Sequence, residues 1–337
     1  MADQAARQEV WEALWHLPVH RTVGTLVRHR VPDLLEHGPV EGTALAERAG
    51  LHPLSTVRAL RVLAGHGLFR EVEPGVFENT AASDLLRDRP GGMRNVVLSF
   101  TTDRVWGQFG GADYTLRTGE SAYEHEYGQS IWDFLRTHPE EQAVFNAMLG
   151  ELRGGQHVAI AAAYDWSPVS TVVDVGGGNG SLLAAILERE TRLRGVLPEQ
   201  DGVLPDADAQ LRARGVRDRC ELVACDFFES VPAIGEAWIL SQVLHDWDDA
   251  RCRVILERCR ARLRPGDRLL VVEIVTVACE PDRRCGFSDI NMLTLFGEAR
   301  QRTAEEYAAL FSDCGLALSR VIPTAAAFSI VEALPAS

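Results

Sequence analysis

The densest group of residues able to do chemistry lies at positions 171–180, "TVVDVGGGNG". Val172, Val173 and Val175 form a short β-branched run of the kind found in central parallel strands, and Asp174 stands near its end. Gly176, Gly177, Gly178 and Gly180 follow, and "SLLAAILERE" then spaces leucine and alanine as a helix does. Glycine adopts positive φ and carries no side chain, so a ligand can lie against bare main chain in such a turn. A nucleoside-bearing ligand suits it, with Asp174, Gly176 and Gly178 as candidate contacts.

Three ligand classes compete for this turn. A dinucleotide fingerprint wants G-x-G-x-x-G, whereas Gly176, Gly178 and Gly180 give G-x-G-x-G, followed by Ser181. A P-loop needs a lysine that reaches phosphates. All 34 basic residues here are arginine, which excludes that lysine and any Schiff-base lysine. What remains is a loop that cradles a ligand without phosphates, such as S-adenosylmethionine.

The other candidates fall where strands end. In open α/β sheets ligands bind outside the carboxyl ends of the strands. Glu199 closes the second strand, where a carboxylate can accept from ribose hydroxyls. Asp226, after the third strand in "ACDFF", is placed to hold an adenine amino group, with Phe227 beside the ring. His245 follows the fourth strand in "LHDWDD", and Glu273 ends the fifth in "VVEIV". A phenol, with a pKa of about 10, must lose its proton as it attacks a sulfonium methyl, and a histidine near 6.5 suits that work. Glu273 can orient the imidazole and stabilise its cation. Asp246, Asp248 and Asp249 raise the further idea of a magnesium site. The helix starting there favours the plainer reading, carboxylates at a helix N-terminus.

The elements that must position these residues alternate strand and helix through the last half of the chain, as a doubly wound α/β sheet requires. Strands are expected at "RGVLP", "CELVAC", "AWILSQVL", "RLLVVEIV", "LALSRVIP" and "FSIVEAL". Five cofactor-half strands with a terminal strand pair suit a methyltransferase variant better than a dehydrogenase. The first third reads as helix, turn, helix and two short strands around "EPG", a winged-helix pattern, with Thr43 expected to cap its first helix and Ser55 or Thr56 to open its second. Residues 94–164 look helical and aromatic-rich, suited in part to lining a pocket for a planar substrate. The expected division is 1–95 winged-helix-like dimerisation domain, 96–165 helical linker and substrate-lining segment, and 166–337 cofactor domain.

Composition narrows the function classes. At 337 residues with 46% hydrophobic and 24% charged residues, the chain is of ordinary globular type. A net charge of −14 argues against a nucleic-acid groove, and the candidate recognition helix offers only Arg58, Arg61 and His66. No apolar run is long enough for a bilayer, and the N-terminus lacks a signal peptide's basic and apolar regions. Seven cysteines form no C-x-x-C pair, so reduced thiols in a cytoplasmic protein are expected, with neither nucleic acid nor membrane as partner.

With these motifs in view, the chain resembles the plant-type and bacterial small-molecule O-methyltransferases, the group of acetylserotonin, caffeate and polyketide O-methyltransferases. "YDWSPVSTVVDVGGGNGSLLAAIL", "RCELVACDFFESVP", "LHDWDDARC" and "DINML" carry the likeness most specifically. The resemblance implies a class I methyltransferase (Rossmann-like) domain, a homodimer interleaved through the N-terminal domain, S-adenosylmethionine as methyl donor, no metal, and an aromatic small-molecule acceptor. By position it implies that Gly176 contacts the donor's methionine portion, Glu199 its ribose, and Asp226 with Phe227 its adenine, with Trp247 nearby. It makes His245 the base and Glu273 its assistant, and turns Asp246, Asn291 and Met292 to the acceptor. Three positions depart from the family pattern: Glu199 follows a proline, Ser241 stands for a cofactor-touching lysine, and Gln301 stands for a second glutamate near the base. Those departures keep open a second outcome, a reaction other than methylation on the same scaffold, or methyl transfer to nitrogen or carbon.

Overall fold

The computed structural model describes residues 2–153, 155–231, 234–277 and 283–336. By packing, the chain forms two compact units, one of residues 1–107 with 132–153, the other of 108–131 with 154–337. The aromatic-rich stretch 96–165 is thus shared between them.

The second unit is built on a seven-stranded sheet: β1 (Thr171–Asp174), β2 (Arg194–Glu199), β3 (Cys220–Ala224), β4 (Ala237–Ser241), β5 (Arg268–Glu273), β6 (Leu316–Pro323) and β7 (Ser329–Pro335). Their order across the sheet is β3-β2-β1-β4-β5-β7-β6. The first five run parallel, while β7 pairs antiparallel with β5 and with β6. The chain reverses direction across the sheet at β1 and β4, which opens a crevice at their carboxyl ends. Register brings the expected site residues to that edge, with Asp174 opposite Ile239, Glu199 opposite Ala224 and Ser241 opposite Val272.

Both faces of the sheet are covered, as near-continuous apolar strands demand. Leu183, Ile186 and Leu187 of the helix Ser181–Arg189 pack on one face with Val172, Leu197 and Ile239. Ile255, Leu256 and Cys259 of the helix Asp249–Arg260 pack on the other with Val173, Trp238 and Val271. The first helix approaches β2 so closely that a Cβ at Gly195 would lie 2.9 Å from Leu183 Cδ2.

In the first unit, the helices Gly42–Ala49 and Pro53–Gly65 precede the hairpin Phe69–Glu73 and Val76–Asn79, and Val40–Glu41 adds a third short strand. Leu45, Leu60, Leu63, Phe69 and Phe77 make its core. The capping expectations fail here. Glu41 precedes the first helix with no side-chain cap, and Thr43 lies inside the first turn, where its hydroxyl bonds Glu41 instead. His52 Nδ1 accepts from Ser55 N at 3.4 Å, so an imidazole caps the second helix, before a proline that already fixes φ. The helix Ala2–Arg28 carries Val10, Trp11, Leu14 and Leu17, each more than half exposed. Among the described residues no helix is long and apolar enough to cross a membrane.

Candidate active site

The glycine turn is shaped by what stands behind it. Gly176, Gly178 and Gly180 have φ of 67°, 58° and 74°. A Cβ on Gly177 would lie 2.5 Å from Asp174 Oδ2, so the turn rests on that carboxylate. Asp174 is fully buried, and among the described residues neither oxygen has a hydrogen-bond partner. Burial, and then the neighbouring Glu199 charge, raise its pKa to about 7. A buried, unpartnered carboxylate is costly in a folded chain, and a ligand bearing donors would satisfy it.

Glu199 is 8% exposed; Oε2 accepts from Gly178 N at 2.8 Å and Oε1 from Gln200 N at 2.7 Å. Burial raises its pKa. The carboxylate therefore ties the loop to β2. Asp226 is exposed and accepts from Phe228 N at 2.8 Å through Oδ1. Phe227 closes on the loop, 3.2 Å from where a Cβ of Gly176 would stand. Trp247 meets the edge of Phe228 at 4.8 Å, under the Arg251 guanidinium. Ser241 ends β4 half-buried. A glycine cradle, two carboxylates and flanking aromatic rings on one sheet edge fit S-adenosylmethionine, whose adenine, ribose and ammonium groups offer matching surfaces.

His245 sits in the short turn Leu244–Asp246, its side chain 13% exposed. Its Nδ1 is 2.6 Å from Oε2 of the fully buried Glu273, and its Nε2 is 3.2 Å from Asp246 Oδ1. Burial opposes the charged ring, but the charges and hydrogen bonds of Glu273 and Asp246 prevail and raise its pKa to about 10. The ring is therefore not the ordinary imidazole near 6.5 that the sequence suggests: with a carboxylate at each nitrogen it holds both protons at neutral pH. Asp248 and Asp249 leave Asp246 for other partners. Asp248 caps the following helix through Arg251 N, and Asp249 binds Arg300 and Arg302.

Arg302 is a residue that no local signal in the sequence marks. It is fully buried, donating to Leu244 O and Trp247 O at 2.9 Å each and to Asp249 Oδ1 at 2.8 Å. It thus clamps the main chain on both sides of His245. Gln108 is another: 2% exposed, it reaches Asn291 and Thr294 on the helix Arg283–Phe296. Met292 on that helix is buried, and Gln301 donates to Ser288 Oγ at 3.0 Å.

Comparison with known proteins agrees with this architecture. Residues 110–317 match the model of an O-methyltransferase domain, and residues 15–89 that of an O-methyltransferase dimerisation domain. The phenazine O-methyltransferase PhzM of Lysobacter antibioticus is 42% identical over 311 residues, covering 90% of this chain and 89% of that protein. The solved structure of the mitomycin 7-O-methyltransferase MmcR superposes with a TM-score of 0.93 at 34% identity, over 99% of each chain. That of NcsB1, from neocarzinostatin biosynthesis, holds S-adenosylmethionine and 2-hydroxy-5-methyl naphthoic acid, with a TM-score of 0.81 at 32% identity over 95% of this chain and 96% of that one. The sheet, the glycine cradle and these likenesses converge: the chain belongs to the S-adenosylmethionine-dependent O-methyltransferase family, and the relatives named above are bacterial small-molecule O-methyltransferases.

Proposed function

We propose that the enzyme methylates a phenolic hydroxyl of a planar natural product or its precursor, with His245 as the proton acceptor. The observation that carries this reading is the imidazole held between Glu273 and Asp246 on the sheet edge that also carries the glycine cradle. The relatives act on fused-ring or aromatic compounds by name, phenazine and naphthoate among them. Bound S-adenosylmethionine supplies an electrophilic methyl group; Asp174, Gly176, Gly178, Glu199, Asp226, Phe227, Ser241 and Trp247 are the residues proposed to hold it.

The chain's own part is proton management and alignment. A phenol titrates near 10, and the imidazole is raised to about 10, so in the enzyme form that has lost the Nε2 proton, transfer of the hydroxyl proton to Nε2 is close to thermoneutral. Asp246 must yield Nε2 to the acceptor, while Glu273 keeps the resulting imidazolium paired. Placing the oxygen in line with the methyl group contributes separately, up to about 7–11 kcal/mol in well-oriented systems.

The dimerisation domain and the apolar stripe Val10, Trp11, Leu14 and Leu17 support a homodimer, and the unpaired cysteine pattern supports a cytoplasmic setting. The test is incubation with methyl-labelled S-adenosylmethionine and a panel of planar phenols. Label recovered as an aryl methyl ether, one equivalent of S-adenosylhomocysteine per turnover, supports the proposal. Product formed without S-adenosylhomocysteine, or label on nitrogen or carbon, overturns it.

A further inference from the structure

We propose that Gln108 fixes the orientation of the Asn291 amide so that Asn291 donates to the acceptor, which selects phenols carrying a hydrogen-bond-accepting atom beside the reacting hydroxyl. The inference rests on the reading above that Asn291 faces the acceptor, and it names the chemistry that face demands.

The orientation follows from the partners of one buried amide. Gln108 is 2% exposed, and its Nε2 lies 3.3 Å from the main-chain oxygen of Asn291, 3.1 Å from Asn291 Oδ1 and 2.9 Å from Thr294 Oγ1. A main-chain carbonyl can only accept, so the Gln108 end facing it is the NH2 group. Thr294 spends its own proton on Ile290 O at 2.9 Å, which leaves its oxygen as an acceptor towards Gln108. The Asn291 atom sharing this donor must then be its carbonyl oxygen. Its two N–H groups are turned the other way, and none has a partner among the described residues.

The surroundings place those donors beside the chemistry. The helix Arg283–Phe296 packs against the turn Leu244–Asp246 that carries His245. Ser288 and Asn291 are three residues apart and share a helix face. Ser288 accepts from Gln301 Nε2, and Gln301, 5% exposed, has a buried Oε1 without a hydrogen-bond partner among the described residues. The parallel pairing of Arg302 with Val275 sets Gln301 next to Ile274, one residue beyond Glu273. The two Asn291 N–H groups, without a partner among the described residues, call for a polar ligand, not a hydrocarbon. A ring nitrogen, quinone oxygen or carboxyl oxygen next to the hydroxyl would meet Asn291 directly.

The test uses the full-length protein saturated with S-adenosylhomocysteine and two probes, 8-hydroxyquinoline and 1-naphthol. They share shape and hydroxyl and differ by one ring atom, an accepting nitrogen against C–H. Wild type is expected to bind the nitrogen probe roughly three- to tenfold more tightly, the range of one net hydrogen bond. Asn291→Leu should abolish the preference, Gln108→Met should weaken it while leaving Asn291 in place, and Asn291→Asp should reverse its sign. A merely structural effect would weaken both probes alike and leave their ratio unchanged. Equal affinity in wild type, retention of the preference in Asn291→Leu, or no binding of the nitrogen probe to the S-adenosylhomocysteine complex overturns the proposal. Failure to bind S-adenosylhomocysteine at all instead overturns the reading of the site on which it rests.

Discussion

Glu273 holds His245 twice, once through the ring, Nδ1 to Oε2 at 2.6 Å, and once through the main chain, His245 N to Oε1 at 3.3 Å. One buried carboxylate thus sets both the ring and the turn that carries it. Replacing His245 by Ala should lower kcat by about 10²–10⁴ if the ring takes the proton. Glu273→Gln keeps the volume but must put an NH2 group where one of two donors already points, so it should also lower kcat, with the KM for S-adenosylmethionine little changed. Steady-state kinetics on an identified phenol decides this; a His245→Ala enzyme within a few-fold of wild type would end the base assignment.

The pH dependence follows from the two carboxylates on one imidazole. With the ring raised to about 10, the free enzyme holds the proton through neutrality, and kcat/KM should climb with pH from about 7 towards 10. Asp246→Asn removes one of the raising charges, so the rise should move to lower pH. The same shift bears on stability. A histidine titrating at about 10 when folded and about 6.5 when unfolded contributes fully below 6.5, and that contribution is lost as pH rises through 10. Asp246→Asn should therefore lose more stability at pH 6 than at pH 10. Profiles identical to wild type would show that Asp246 does not act on the ring.

Asp174 has the opposite consequence. Its folded pKa of about 7 exceeds the ordinary carboxyl value, so ionisation of this group disfavours the ligand-free fold increasingly from about pH 4 to pH 7 and fully above that. Asp174→Asn should raise the melting temperature of the ligand-free enzyme at pH 8, by a gain on the order of 2–4 kcal/mol, and leave it nearly unchanged at pH 4. It should at the same time weaken S-adenosylhomocysteine binding measured by calorimetry. Stabilisation without loss of affinity would mean that the carboxylate serves the fold alone.

How far the sequence could be read depended on whether a residue's signal was local. The strand ending at Asp174, the glycine turn and the helix after it form one contiguous pattern, and the six later strands were legible from apolar runs between turn residues. Glu199, Asp226, His245 and Glu273 were legible because a doubly wound sheet brings strand ends to one edge. Gln108 and Arg302 were not, since what marks them is burial beside Asn291 and Leu244, residues 183 and 58 positions away. Nor did spacing show that Asp246 folds back on its neighbour's imidazole while Asp248 and Asp249 turn to a helix cap and an arginine pair. The divided use of 96–165 was hidden for a similar reason: helical periodicity reports a buried face, not which unit buries it.

Arg302 offers the sharpest separation between holding the fold and holding the base. Its guanidinium spans Leu244 O, Trp247 O and Asp249 Oδ1, so one planar group ties together three acceptors on the His245 segment. Arg302→Met would strip the charged donor from all three, leaving Leu244 O to Cys252 Sγ and Trp247 N, and Trp247 O to Cys252 Sγ alone. The cost should be about 2–3 kcal/mol, below the roughly 3–5 kcal/mol of breaking a fully buried pair, because Asp249 is one-third exposed and keeps Arg300. Arg302→Lys supplies charge and three donors but not the planar fork, and should recover stability more than rate. Chemical denaturation measured beside kcat and the KM for S-adenosylmethionine separates the two effects. Arg302→Lys with near-native stability, unchanged KM and a kcat reduced at least tenfold would show that the clamp aligns His245; full recovery of kcat with stability would make it a structural bond only.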